Sequence, residues 1–408
     1  MRTLTPHLKK LRAVRAVAEH GSTARAAASL FLSQPAVARA VRDVESLLDM
    51  TLFDRSARGM DLTELGQVLD ARLKRAFAQL RAADRGVTQL AAGHRLAHHR
   101  SESQLETHAG YRHLSTLMAL DAAGSESRCA EALGISQPAV TQAIAQLEHL
   151  AGVRLFHRSA RGMRLTEPGD ALLRHARLLW FELDSASADL ASRVGQLQGR
   201  VVIGTLPFST GLFVPRAVER LLASHPAVNV TIVDGTYETL LHRLRHAELD
   251  MVIGALRQPP PADDLHQETL FDDELAVVVR QGHPLQGRPL RGLADLVDAS
   301  WILPMPNTPA QSAFERAFLS DGLAPPTSGL QVNSPALTQA LLMESDRVVL
   351  MSPRQISREV KAGLLALLPI TVRMTTRAIG LTTRTDYLPS PGVAFLLDAL
   401  RDTAADLG

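Results

Sequence analysis

The chain repeats itself. Residues 33–45 read SQPAVARAVRDVE and residues 136–148 read SQPAVTQAIAQLE, so a pentapeptide recurs and an acidic residue closes both stretches in register. At a constant offset of 103 residues, Leu11 matches Leu114, Gly21-Ser22 matches Gly124-Ser125, and LFDRSARGMDLTELG (52–66) matches LFHRSARGMRLTEPG (155–169). Each copy runs on into a long arginine-containing helical stretch, near 64–92 and 167–197. The copied unit is therefore about 90 residues, the size of a small self-sufficient domain. Stacked repeats need three or more units to bury a continuous core, so two independent domains are the simpler expectation.

In the second copy, Leu114, Leu117, Met118 and Leu120 recur at helical spacing. Gly124 ends that helix, and Ser125 is a good N-cap for the next, SESRCAEALG. Gly134 permits a tight turn. Ser136 caps a third helix, and Pro138 occupies its first turn, where a missing N–H costs little. Val140, Ile144 and Leu147 give this helix a buried face and leave Gln137, Thr141, Gln142 and Gln146 on others. Helix, short turn and polar-faced helix form a helix-turn-helix. VRLFHRSARGMRLT then reads as two short strands around a loop, a wing.

The residue types suit duplex DNA. A recognition helix turns its N-terminus toward base edges. That places Ser33, Gln34, Pro35 and Ala36, and Ser136, Gln137, Pro138 and Ala139, with Thr141 and Gln142, as candidate contacts. Glutamine pairs with adenine, and alanine can meet a thymine methyl. Arg39 and Arg42 add charge to the first helix, and wing residues Arg55, Arg58, Arg158 and Arg161 suit the backbone or minor groove. Alone, SQPAV is a capped helix start and RSARG a surface loop. Found twice in register, the ordered string points to DNA.

Charge agrees: residues 1–100 carry +8, residues 101–200 carry −1 and the remainder −5. Aromatic residues are 4% of the chain, too few for a stacking platform on single strands. At 408 residues and 46% hydrophobic, the composition suits two or three globular domains. No apolar run reaches about 18 residues, and the basic N-terminus lacks a signal-peptide core. With one cysteine, Cys129, no intramolecular disulfide can form, and a cytoplasmic location is expected. Cys129 aligns with Ala26, a small core position. The segment 94–110 is polar and reads as a linker. Its histidines lack the cysteine or paired carboxylate of a metal set, so no metal and no cofactor are expected.

From residue 199 strands alternate with helices, which predicts parallel sheet. Ligands gather at strand ends where helix N-termini face them. Those places are Pro207-Phe208-Ser209-Thr210, Gly235-Thr236 and Asn333-Ser334, whose hydroxyls and amides suit an anionic or polyhydroxylated metabolite. Capping alone is the competing reading of Ser209, Thr236 and Ser334. No phosphate-loop, nucleophile-elbow or zinc-protease pattern occurs, so an enzyme is not expected.

Over about residues 110–403 the chain resembles the LysR-type transcriptional regulators, most closely in ALDAAGSESRCAEALGISQPAVTQAIAQLEHLAGVRLFHRSARGMRLTEPG. The expected fold is multidomain: two all-α winged helix-turn-helix domains with linker helices (1–93 and 110–198, joined by a flexible linker at 94–109), then an α/β effector domain (199–408). The resemblance implies that this last domain is two-lobed, like periplasmic solute-binding proteins, with an effector in its cleft. It also implies double-stranded DNA, further copies of the chain as a dimer or tetramer, and RNA polymerase as partners, with no membrane. A typical member has one helix-turn-helix domain.

The first copy departs from the pattern in detail. Leu30-Phe31-Leu32 replaces Leu133-Gly134-Ile135, Leu48-Asp49 replaces Ala151-Gly152, and Leu65 replaces Pro168. Losing a turn glycine forces another residue toward positive φ at about 1 kcal/mol. Decay of this copy into a dimerisation element is one reading. Arg39 and Arg42, where the second copy has Gln142 and Ala145, favour both copies touching DNA. The linker helices can pair within one chain or between chains. The rival function is a ligand-binding protein with vestigial DNA-binding domains.

Overall fold

The computed structural model describes residues 3–56, 59–92, 104–160, 162–207, 211 and 213–406. It divides after residue 199 into two compact units, each taken by itself.

In the first unit α1 (Leu8–His20), α2 (Thr23–Ser29) and α3 (Gln34–Leu48) precede a hairpin of β1 (Phe53–Ser56) and β2 (Gly59–Leu62), and the long α4 (Glu64–Ala92) follows. After the short α5 (Gln104–His108) the order recurs as α6 (Tyr111–Ala123), α7 (Glu126–Leu133), α8 (Gln137–Ala151), β3 (Phe156–Ser159), β4 (Gly162–Leu165) and α9 (Glu167–Arg193). Ser33 and Ser136 are extended, and their hydroxyls accept the backbone N–H of Ala36 and Ala139. Val37, Val41 and Val44 of α3 are buried, as are Val140, Ile144 and Leu147 of α8. In the second copy the turns close on left-handed glycines, Gly124, Gly134 and Gly152 (φ 66°, 63° and 74°). The first copy keeps the first of these as Gly21 (φ 61°) and the same backbone without the other two: Phe31 has φ 53° and Asp49 φ 59°.

Each hairpin is tied to its own helices in the same way. The Glu45 carboxylate accepts Leu52 N–H at 2.9 Å, and Glu148 accepts Leu155 N–H at 2.9 Å. Met60 N–H donates to Gly21 O at 3.0 Å, and Met163 N–H to Gly124 O at 2.9 Å. The backbones approach so closely that a Cβ on Gly59 or Gly162 would sit 2.6 or 2.4 Å from the carbonyl oxygen of Gly21 or Gly124.

The long helices α4 and α9 pack together through buried Leu69, Leu73 and Leu80 on one side and Leu172, Leu179 and Leu183 on the other. The linker expectation needs correction at its described end. Residues 104–108 are helical, Leu105 and Ala109 are fully buried, Glu106 pairs with Arg81, and Arg12 donates to Ala109 O at 2.5 Å. One leucine and one alanine suffice to dock a segment whose composition is otherwise that of a solvated linker.

The second unit runs β5 (Gly199–Thr205), α10 (Phe213–Ser224), β6 (Val228–Asp234), α11 (Tyr237–Arg245), β7 (Met251–Ala255), β8 (Leu265–Asp273), β9 (Ala276–Arg280), β10 (Ser300–Leu303), α12 (Pro309–Ser320), β11 (Leu330–Gln331), α13 (Pro335–Met343), β12 (Arg347–Met351), α14 (Ser357–Lys361), β13 (Leu365–Leu367), β14 (Arg377–Arg384) and α15 (Pro391–Ala405). Two five-stranded sheets result, ordered β6-β5-β7-β14-β8 and β11-β10-β12-β9-β13, one to a lobe. They are mixed, not parallel. β5 and β7 run parallel, as do β10 and β12, but β14 lies antiparallel to β7 and β8, and β9 antiparallel to β12 and β13. The antiparallel strands flank the two places where the chain crosses between lobes, a long-range event that local alternation of strand and helix does not encode. The crossings are fastened by the buried ion pair Arg377–Asp273 (2.9 Å), by Ser352 donating to Asp273 (2.6 Å), and by Leu275 N–H donating to Thr375 Oγ1 (3.2 Å).

Candidate functional site

In the first unit the N-terminal turns of α3 and α8 face solvent. Ser33, Gln34, Pro35, Ala36, Arg39 and Arg42 are exposed, and so are Ser136, Gln137, Pro138, Thr141 and Gln142, with Ala139 half-buried. Gln34 donates to Thr23 Oγ1 at 3.2 Å, which lashes the first residue of α3 to the first of α2. Thr141 donates to Gln137 O within its own helix. Arg158 is exposed on β3 opposite Met163, and Arg55 holds the matching position opposite Met60. Arg58 and Arg161 lie outside the described residues. On α3, Asp43 accepts a hydrogen bond from Lys10 at 2.9 Å, and that bond holds its carboxyl below the ordinary value. The matching pair in the second copy is His113 and Gln146, 3.2 Å apart.

In the second unit a cleft of about 840 Å³ opens between the two lobes. Pro207, Gly235, Thr236, Asn333 and Ser334 all line it. Phe208, Ser209 and Thr210 lie outside the described residues. Thr236 and Ser334 do cap helices, accepting Thr239 N–H and Leu337 N–H, and Thr308, also in the lining, accepts Gln311 N–H at the start of α12. Capping and lining are therefore one arrangement, which brings three helix N-termini, with their positive dipole ends, to one cavity.

Further lining residues escaped the sequence reading, Tyr237, Arg257 and Arg377 among them. The Arg257 guanidinium lies 3.7 Å above the Tyr237 ring and pairs with Glu238 at 3.3 Å. Burial raises the Tyr237 hydroxyl above its ordinary pKa, so the ring is neutral at pH 7. Arg257 closely follows β7, and the strand-end rule applied to Pro207 would have found it. Arg377, at the crossing, carries no such signal. The remaining walls combine apolar residues, Leu206, Ile302, Met305 and Met351 among them, with Asp234, Thr338, Gln339 and Gln355.

The family model for the LysR substrate binding domain matches residues 195–405, and that for the bacterial regulatory helix-turn-helix protein, lysR family, matches 8–67 and 111–170. The chain belongs to the LysR family. It is a LysR-type transcriptional regulator, with helix-turn-helix and two-lobed effector-binding parts, and not an enzyme. It is 34% identical over 401 residues to the HTH-type transcriptional regulator GalR of Pseudomonas putida, covering 98% of both chains. With the regulator PcaQ of Agrobacterium fabrum it shares 32% identity over 297 residues, 73% of this chain and 96% of PcaQ. Two solved structures share the fold: a full-length OxyR variant from Pseudomonas aeruginosa (TM-score 0.53, 21% identity, 71% of this chain and 97% of that one) and LysG from Corynebacterium glutamicum with bound effector Arg (TM-score 0.53, 20% identity, 72% and 97%). Among the described residues of this LysR-type regulator, no helix is long and apolar enough to cross a membrane.

Proposed function

We propose that both three-helix-and-hairpin segments of this regulator are winged helix-turn-helix heads that bind duplex DNA, and that a small anionic effector in the cleft modulates that binding or the activation of transcription. The observation that carries the first part is the identical anchoring of the two hairpins beside equally exposed α3 and α8 N-termini. A decayed copy has no physical need to keep Glu45, Gly59 and Gly66 against their own backbone while leaving Gln34 and Arg39 open to solvent. The alignment with GalR spans both segments, whereas that with PcaQ covers only 73% of the chain.

For the effector, three helix N-termini and Arg257 supply positive potential in a lining that also carries Asp234 and Glu238, and the free helix amides suit a compact carboxylate better than a neutral polyol. Tyr237 adds a neutral aromatic ring to the lining. Further copies of the chain and RNA polymerase complete the expected partners.

A footprint of the full-length protein on the DNA upstream of its own gene, at near-physiological salt, tests the heads. A discrete protected region that Gln34→Ala and Gln137→Ala each alter is expected. Salt-sensitive retention without a boundary would mean phosphate contacts alone and refute sequence-specific reading. For the cleft, small carboxylates are screened by thermal shift, and a stabilisation lost in Arg257→Ala is expected. Neutral polyols stabilising while carboxylates do not would overturn the anionic assignment.

A further inference from the structure

We infer that α4 and α9 carry a heterotypic pairing code, so that one chain supplies both halves of its DNA-binding pair. The contacts between the two helices run antiparallel: Glu64 with Arg193 (2.9 Å), Arg72 with Asp189 (2.7 Å) and Glu182 (2.9 Å), and Arg75 with Glu182 (2.7 Å). His175 Nδ1 lies 2.9 Å from Gln79 Oε1. The repeat offset makes Arg72 the counterpart of His175, and Gln79 the counterpart of Glu182. Arg72–Glu182 and His175–Gln79 are thus one contact seen from the two sides of a pseudo-two-fold axis. One side is an ion pair. The other sets an imidazole against a side-chain amide.

That asymmetry decides which helices belong together. Were α4 to pair with a second α4 in this register, each Arg72 would face Gln79 and Gly86 of the other copy, the positions equivalent to Glu182 and Asp189. The Arg72 side chain is 1% exposed, so two guanidiniums would be buried without the carboxylates that now satisfy them, which is strongly unfavourable. Were α9 to pair with a second α9, Glu182 would face His175 and Leu178 in place of Arg72 and Arg75. Only α4 against α9 sets guanidinium against carboxylate. Such a buried polar mismatch selects partners in the way a single polar residue does in a coiled coil.

The chain's own second copy is also the nearest candidate. Leu105 is buried, Glu106 pairs with Arg81, and Arg12 holds Ala109 O, so residues 105–109, which lead directly into the second copy, dock on the first. A tether of this length gives an effective concentration on the order of millimolar, above that of free chains. Since α3 carries Arg39 and Arg42 where α8 carries Gln142 and Ala145, a single chain then reads two unlike half-sites. This last consequence rests on both segments being DNA-binding heads. The pairing does not.

The test uses the full-length chain with Cys129→Ala, Gln79→Cys and His175→Cys, treated with a short bismaleimide and resolved by denaturing gel and peptide mass. The expected product is a bridge within one chain, its yield unchanged over about a hundredfold dilution. Each single-cysteine chain yields no dimer. A dimer-mass product, or no bridge, overturns the proposal. In the same background Arg72→Glu is expected to abolish the bridge, and Arg72→Glu with Arg75→Glu, Glu182→Arg and Asp189→Arg, which reverses every charge of the cluster, to restore it. Loss without restoration makes Arg72 a packing residue and refutes the code. A bridged chain that fails to protect DNA counts against the two-head reading and leaves the pairing intact.

Discussion

Glu148→Ala is expected to loosen the wing of the second copy, and the structure sets the size of the effect. The Glu148 carboxylate accepts Leu155 N–H at 2.9 Å, while Phe156 N–H, at 3.5 Å, is too far to add much. Leu155 is fully buried, so no water replaces the lost acceptor. A charge-assisted bond to a buried amide is worth about 1.5–3 kcal/mol. The ion pair from Glu148 to Arg154 contributes little beside it, since the Arg154 side chain is 84% exposed. Glu148→Gln keeps an acceptor oxygen and loses the charge, and is expected to cost about half as much. The assay is amide hydrogen exchange of the 153–157 segment in the full-length protein. About 2 kcal/mol corresponds to exchange faster by a factor of roughly 30, and the glutamine variant falls between. Glu45→Ala should do the same to Leu52, with its 2.9 Å bond. Unchanged protection in both alanine variants would show that the register of the two acidic residues is not a wing anchor, and the reasoning would fail.

Phe31→Gly relieves left-handed strain of about 1–2 kcal/mol and returns about 0.4–1 kcal/mol through unfolded-chain entropy, so a net stabilisation below about 1.5 kcal/mol is expected in denaturant melts. The side chain is 97% exposed, so no packing is lost. Gly162→Ala would place a Cβ 2.4 Å from Gly124 O, and with φ at +105° it should lower the melting midpoint and expose Met163 N–H to exchange. Arg39→Ala should weaken DNA binding across sequences and reduce the slope of log K against log salt by about 0.9, measured by titration at several salt concentrations. Arg401, hydrogen-bonded to Glu268 at 2.8 and 2.9 Å, holds that carboxyl below its ordinary 4.5. The depressed folded-state pKa makes this stabilisation complete above about pH 4.5 and lost as pH falls through the folded value. Both side chains are a third to a half exposed, so Arg401→Ala should cost within about 1 kcal/mol from pH 7 to 5, with the gap to the parent closing in more acid melts.

Much of this was legible because local chemistry wrote it. The serine caps, the prolines in the first turn and the apolar spacing of Val140, Ile144 and Leu147 specify each three-helix segment without reference to distant residues. The left-handed φ of Phe31 and Asp49 followed from comparing one copy with the other. Sheet direction was not legible, because the placement of β14 between β7 and β8 depends on a return from the other lobe more than 100 residues later. The Arg257–Tyr237 stack joins residues 20 positions apart, and neither is distinctive alone. Residues 104–109 read as solvated because two small apolar side chains carry their docking.

The repeat gives an internal comparison that sorts its positions by what they touch. Where a residue meets its own copy's backbone, the two copies agree: Glu45 with Glu148, Gly59 with Gly162, and Gly66 with Gly169, whose added Cβ would lie 2.1 Å from Leu52 O or Leu155 O. Beyond the shared Ser-Gln-Pro-Ala start, outward positions of α3 and α8 differ, as at Arg39 and Gln142. Where a residue faces the other copy, the two differ in a complementary way, Arg72 against His175 and Gln79 against Glu182. Unconstrained drift would alter backbone-anchoring and outward positions alike, and would not leave a cation on one helix opposite a carboxylate on the other. Two folds held alike, two exposed helix faces made partly unlike and one interface made complementary are the properties required of two halves that work as a pair within one chain.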